Sequence, residues 1–286
     1  MIIVDLNGVL IANLMEQIKP GSNIPVGIEM FRHMALNSLR SYKTKFAEYG
    51  ELIIACDAGN YWRRQKFPYY KAQRKQMIKE SPIDWNSIFE CIRTIKAELR
   101  KYFPYRIIEV PTAEADDIIA TLCMKFGNTL NMGEKLLILS KDRDFIQLQR
   151  YGNVLQYSPV EKKWIQDGNP EKYLKEHIIT GDRGDGVPNI LLPDNYFVVP
   201  SKRKKMTAQK LEQFMETDFS KYPEDSEFKV RYERNKMLID LEQVPNHIQE
   251  QVLIQYESQK GKSRSQIMTY LAQHKLKDLL QSIQEF

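Results

Sequence analysis

The chain has 286 residues, 42% hydrophobic and 28% charged, with a net charge of +5 and a pI near 8.8; that suits one large or two smaller soluble domains with a substantial core. Cys56, Cys91 and Cys123 are far apart and show neither zinc spacing nor a disulfide pattern, so they read as buried thiols of a reducing compartment. There is no P-loop, no G-x-G-x-x-G, no nucleophile–histidine pairing, and no secretory leader; the apolar start MIIVDLNGVLIANLM is interrupted by Asp5 and Asn7 and is too short for a membrane span, so a soluble cytoplasmic protein is expected.

Residues 1–6 read as a short buried strand ending on Asp5. A helical pattern runs from Pro25 to Tyr49, marked by Phe31, Met34, Leu36 and Leu39, and Gly50 stops it. Residues 51–56 form a second strand leading to Asp57, and 59–80 read as irregular or mobile. From Asp84 to Tyr102, Trp85, Ile88, Phe89, Ile92, Ile95 and Leu99 recur at helical spacing. Residues 106–110 are a third strand, and Thr112 is the expected cap of a helix reaching Phe126. Residues 136–140 and 153–158 give a fourth and a fifth strand. This alternation predicts an α/β fold with a mostly parallel central sheet flanked by helices. Near residue 180, GDRGDGVPN is a turn-rich loop. Beyond it the spacing is helical over 207–216, 228–240, 246–259 and 264–284. The chain thus divides into an α/β domain, 1–180, and a smaller α-helical domain, 181–286.

Acids follow nearly every strand: Asp5, Asp57, then Glu114, Asp116 and Asp117, then Asp142 and Asp144, then Asp182 and Asp185. Carboxylates at the carboxyl ends of parallel strands converge on one crevice. So many like charges need cations, and hard divalent metals with oxygen ligands fit, Mg²⁺ first. One such acid alone more often caps a helix; the recurrence is the signal. At about 100° per residue, Asp116 borders the apolar stripe of its helix, whereas Asp117 faces away and is expected to make a surface pair. Glu114 is left as either a second ligand or an outer partner that orients water. Asp142 and Asp144 form a D-x-D able to address one or two metals, which suits in-line displacement at phosphorus.

Residues 61–80 carry Arg63, Arg64, Lys66, Lys71, Arg74, Lys75 and Lys79 against Glu80, interleaved with Tyr61, Trp62, Phe67, Tyr69 and Tyr70. Rings of this kind stack bases while cations track phosphates. If the segment is helical, Lys71, Arg74 and Lys75 share a face. A second run, Lys202, Arg203, Lys204 and Lys205, is either a grip on duplex phosphates or a solvated linker.

CDAGNYWRRQKFPYYKAQRK, AEADDIIATL, LILSKDRDFIQL with VLQYSPVEKKWI, IITGDRGDGV and the terminal QSIQEF together resemble the flap endonuclease and 5′-nuclease superfamily, in particular its branch of T-even phage ribonucleases H. The resemblance spans nearly the whole chain. It implies a Mg²⁺-dependent 5′ to 3′ exonuclease and flap endonuclease acting on RNA–DNA and DNA duplexes and removing RNA primers during lagging-strand replication. Two ions are implied, with Mn²⁺ as a substitute. It assigns metal ligands to Asp5, Asp57, Asp116, Asp142, Asp144 and Asp185, with Glu114 and Asp182 just outside. Arg63 and Lys71 match basic residues beside the scissile phosphate in a mobile arch, so Arg63, Lys71 and Glu114 are the catalytic candidates. Arg64, Lys66, Arg74, Lys75 and Lys202 to Lys205 are the nucleic-acid-binding candidates. A monomer acting on nicked or branched duplexes is implied, in the host cytoplasm if phage-encoded, with a single-strand binding protein and a sliding clamp as partners.

The resemblance has one gap. Many members follow G-D-x-x-D with a glycine-rich helix-hairpin-helix that grips duplex and a potassium ion, and GVPNILLPDNYF lacks that pattern. Two other readings compete. VDLNGVL resembles the opening of haloacid-dehalogenase phosphatases, but Asn7 stands where their second Asp is needed. A catalytically silent branched-DNA binding protein would have lost metal-binding acids, and here the matched acids are present.

Overall fold

The computed structural model describes residues 1–17, 27–127, 135–199 and 205–286. At its centre are short strands rich in Ile, Leu and Val: β1 (Ile2–Asp5), β2 (Leu52–Ala55), β3 (Arg106–Ile108), β4 (Leu136–Leu139), β5 (Val154–Ser158) and β6 (Lys163–Ile165). They form one sheet in the order β3-β2-β1-β4-β5-β6, parallel except for the β5–β6 pair. β1 to β4 are buried on both faces, which explains their unbroken apolar runs. Strand order turns back between β1 and β4, the place where a doubly wound sheet opens a crevice at its carboxyl edge.

Two layers of helix cover the sheet. On one face Ile2, Val4 and Ile54 pack with α1 (Leu6–Gln17), α2 (Ile28–Lys45), α5 (Trp85–Tyr102), α11 (Ile267–Gln273), α12 (Lys277–Gln281) and the terminal Phe286. On the other, Ile3, Ile53 and Ile138 pack with α6 (Ala115–Phe126) and α10 (Asn246–Ser258). The last three helices, α10 to α12, therefore complete both layers of the sheet's core. α7 (Pro170–Thr180), α8 (Ala208–Glu216) and α9 (Glu227–Ile239) build two smaller apolar clusters with Phe67, Tyr70, Val187 and Ile190. Among the described residues no helix is long and apolar enough to cross a membrane.

The structure corrects the sequence reading in several places. The segment 59–80, expected to be irregular, holds α3 (Trp62–Lys66) and α4 (Ala72–Glu80). Thr112 caps nothing: it is left-handed (φ 67°) and its carbonyl accepts the Trp62 N–H at 2.8 Å. Glu114 is the cap of α6, in a reciprocal box with Asp117. The helix expected over 264–284 breaks into α11 and α12 around left-handed Lys275 (φ 55°). In α2 the helix begins at Ile28, and Pro25 lies outside the described residues. α1, α7 and β6 were not anticipated. The Asn-Pro pair at 169–170 did announce α7: the Asn169 side chain accepts the Lys172 N–H at 3.0 Å and Pro170 opens the helix.

Candidate metal and nucleic-acid site

The strand-end acids do converge. Asp5 leaves β1 and caps α1, its Oδ1 accepting the Gly8 N–H at 2.9 Å; Ser140 Oγ, after β4, lies 3.4 Å from the other oxygen. A Cβ at Gly8 would overlap the Asp5 carboxylate and force it to move. Asp57, two residues beyond β2, is held from both sides: Asn7 Nδ2 donates to Oδ2 at 2.7 Å and the Ala115 N–H of α6 donates to Oδ1 at 2.8 Å. Asp142 accepts the Asp144 N–H at 2.9 Å and fixes the D-x-D turn.

These carboxylates repel one another. Burial, then Asp57 and Asp142, push Asp5 up to about 7. Burial and then Asp144 push Asp142 up to about 6. Asp116 is driven well above the carboxylate range by burial and Asp142, and Asp57 is raised by burial with Glu114 adding. Crowded, desolvated oxygens that resist ionising together are what a hard divalent cation relieves. The donor set Asp5, Asp57, Asp116 and Asp142 is all oxygen, the donor type such an ion takes. Asp116 lies near enough to Asp142, Glu114 and Asp5 for their charges to raise it.

Asp117 does not make the expected surface pair. It is fully buried; Arg63 Nη1 donates to it at 2.7 Å and Trp62 Nε1 at 3.1 Å. Its face of α6 is covered by α3, a segment remote in sequence. Arg63 is buried too: its Nη1 also reaches Glu114 at 3.1 Å and its Nε donates to the Leu238 carbonyl at 2.9 Å. Arg63 is therefore held behind Glu114, buried between α6 and the carbonyl at the end of α9. Glu114 is likewise a buried hub, taking Arg63, Lys71 and a 2.9 Å contact from the Tyr70 hydroxyl.

Lys71 adopts the left-handed conformation (φ 54°) immediately before α4, so it is not part of that helix and does not share its face with Lys75. Its ammonium is buried between Glu114 and Asp185, 3.3 Å from Asp185 Oδ2. Burial would lower its pKa, but Asp185 and Glu114 outweigh that and raise it. Arg74 Nη2 reaches Asp185 Oδ1 at 2.5 Å and its Nε the Gly184 carbonyl at 3.2 Å. Asp185 is the exception among the acids: burial would raise it, yet Lys71 and Arg74 hold it below the usual range. The loop 181–187 that carries Asp185 is closed by Val187 N–H to the Asp182 carbonyl at 2.7 Å. Gly186 (φ 74°) lies against Tyr69 O and the Gln73 side chain, with no room for a Cβ.

A second group was not foreseen. His177, on α7, puts Nε2 3.1 Å from Asp144 Oδ1 and 3.8 Å from Asp182 Oδ2. Among the described residues, this is the triplet whose ligand atoms lie within 4.8 Å of one another. The histidines looked scattered because nothing local in the sequence links residue 177 to residue 144. Asp182, expected outside the site, lines it: its Oδ1 accepts the Asp185 N–H at 3.1 Å.

The aromatic part of the expected base-stacking surface is largely core: Trp62, Phe67 and Tyr70 are buried, and Tyr61 and Tyr69 half-buried. Of the basic candidates, Arg64 is half-buried, and Lys66, Arg74, Lys75 and Lys205 are exposed, Arg74 beside Asp185. Lys202, Arg203 and Lys204 lie outside the described residues.

Known proteins resemble this chain in sequence and in fold. The profile of the 5′-3′ exonuclease N-terminal resolvase-like domain matches residues 5–183, and that of the T4 RNase H C-terminal domain matches 168–286. Ribonuclease H of Enterobacteria phage T4 is 33% identical over 272 residues, covering 91% of this chain and 88% of that protein. A flap endonuclease Xni of Shewanella sp. (strain MR-4) is 30% identical over 141 residues, 45% of this chain and 48% of that protein. Among solved structures, a phage T5 flap endonuclease in a complex with DNA and metal ions superposes with a TM-score of 0.63 at 14% identity, covering 91% of this chain and 98% of that one. A T5 5′-exonuclease with bound zinc superposes equally well, with a TM-score of 0.63 at 15% identity and coverage of 91% and 99%. On its profile matches and its full-length likeness to the T4 enzyme, the chain belongs to the 5′-3′ exonuclease family, as a member of the T4 ribonuclease H type.

Proposed function

We propose that this protein is a Mg²⁺-dependent 5′ to 3′ exonuclease and flap endonuclease on DNA and RNA–DNA duplexes, working with two ions and clearing RNA primers behind a replication fork. The observation that carries this reading is the electrostatic state of the crevice. Asp5, Asp57, Asp116 and Asp142 are all pushed up by burial and neighbouring acids beside Lys71 and Arg74. Acids that need a cation thus sit next to cations suited to a phosphate.

Asp5, Asp57, Asp116 and Asp142 would hold one ion, and Asp142, Asp144, Asp182 and Asp185 the neighbouring one. Such ions, when bound, activate water and neutralise charge on the phosphodiester. The protein's part is positional. Asn7 and the α6 N-terminus aim Asp57; Gly8 leaves room for Asp5. Arg63 fixes Glu114, and Glu114 with Asp185 fixes Lys71 at the crevice wall. Arg74 and the exposed Lys66 and Lys75 supply phosphate contacts, which dominate affinity for nucleic acid. A single-strand binding protein and a sliding clamp are the partners this role implies.

The phosphatase alternative is disfavoured by Asn7, whose amide is committed to Asp57 and supplies no acid or base. The test is Mg²⁺-dependent digestion of 5′-labelled nicked, flapped and RNA-primed duplexes. Short 5′ products from each are expected. Intact duplex with turnover of a chromogenic phosphate ester would overturn the proposal.

A further inference from the structure

His177 carries an inference beyond the carboxylate site. It projects from the last turn of α7, where helix carbonyls favour a positive charge nearby. Its ring is held by Tyr173 one turn earlier, stacked at 5.9 Å and 24°. Nε2 is shielded from solvent and makes no well-formed hydrogen bond, although Asp144 Oδ1 lies 3.1 Å away. The remaining oxygen of Asp182, at 3.8 Å, faces the same point, because its other oxygen is occupied by the Asp185 N–H. One nitrogen and two carboxylate oxygens within 4.8 Å of one another have the spacing of ligands around a single ion.

The two ends of the crevice therefore differ in chemistry. The end formed by Asp5, Asp57 and Asp116 offers oxygen alone, which suits Mg²⁺. The end formed by Asp144, His177 and Asp182 adds an imidazole. Imidazole is a poor ligand for Mg²⁺ and a good one for first-row transition ions, whose affinity for such mixed sites rises along the series from manganese to copper.

We propose that His177 is a nitrogen ligand which, with Asp144 and Asp182, makes one cation position selective for a divalent transition ion over Mg²⁺. The proposal rests on the metal-dependent nuclease reading above. His177 thereby sets metal preference, and the protein discriminates between ions at one position while remaining permissive at the other.

The test is spectroscopic and uses the full-length protein with metal alone. Mn²⁺-loaded wild type should show ¹⁴N modulation in electron spin-echo spectra, and His177→Ala and His177→Gln should both lose it. By calorimetry, both variants should lose about tenfold or more in Mn²⁺ affinity at one site, the scale seen even for outer partners of metal ligands, with a much smaller change for Mg²⁺. Wild type without nitrogen modulation, the signature of an imidazolium merely paired with Asp144, would overturn the proposal. So would equal losses for Mn²⁺ and Mg²⁺. Cleavage of flapped DNA is scored separately: its absence with any metal would sink the nuclease reading and leave the nitrogen signal standing.

Discussion

Lys71 and Asp185 are joined at two points. The Lys71 backbone N–H donates to the Asp185 carbonyl at 2.7 Å, and its ammonium lies 3.3 Å from Asp185 Oδ2. The left-handed turn before α4 is thus fastened to the loop that carries the last acids of the crevice. Removing one partner of a buried ion pair costs about 3–5 kcal/mol. Lys71→Ala should lower the urea midpoint accordingly, and it should slow cleavage more than it weakens duplex binding. An unchanged midpoint with equal losses in cleavage and binding would reduce Lys71 to a phosphate contact.

Arg63 gives the opposite expectation for nucleic acid. Its Nη1 is bonded to Asp117 and Glu114 and its Nε to the Leu238 carbonyl, all away from solvent. Arg63→Met should destabilise the fold by about 3–5 kcal/mol. Assayed where it is still folded, it should leave the salt dependence of DNA binding unchanged. A slope reduced by about one unit, the mark of a lost phosphate contact, together with unchanged stability, would show that Arg63 swings out to substrate.

Gly8→Ala tests the placement of Asp5. The added methyl group must displace the carboxylate. The variant should fold but bind Mg²⁺ about tenfold or more weaker by calorimetry, in line with other losses of ligand orientation. Wild-type affinity would remove Asp5 from the metal set.

Without metal, acidification should stabilise the protein. Asp5 is pushed up to about 7 and Asp142 to about 6. From about pH 4 to about pH 7 the folded state holds protons that the unfolded chain has released, so stability falls as pH rises. The contribution is complete below the unfolded pKa and gone once pH passes the folded one. Melting in EDTA at about pH 5.5 and about pH 8 should show this fall. Asp5→Asn should flatten it, and so should saturating Mg²⁺, which binds only the folded state. A slope unchanged by either would mean that the acids are not crowded.

Part of this site was legible in the sequence, for a local reason. Asp5, Asp57 and Asp142 each follow an apolar run that can only be a buried strand, so their common edge follows from topology. Asp116 was legible because helix periodicity alone separates it from its neighbour. Asp117 was misread because the wheel showed its position relative to the stripe, while the cover over it, Trp62 and Arg63, comes from a segment more than fifty residues earlier. The basic aromatic segment was half legible. Its composition suggested substrate contact, but Arg63 and Trp62 hold up Glu114 and Asp117 from behind. His177 left no local trace at all; only the packing of α7 beside residues 143–150 brings it to Asp144.

On the function proposed above, the crevice acids hold metal for phosphodiester cleavage while separate cations hold the nucleic acid. Asp142→Asn with Asp144→Asn, assayed on a 5′-flapped duplex in Mg²⁺, addresses both halves at once. Cleavage should fall by on the order of a thousandfold or more, since metal stabilisation of the transition state is worth several kcal/mol. Binding of the same duplex should persist at close to wild-type affinity. Full cleavage by the double variant would contradict the account.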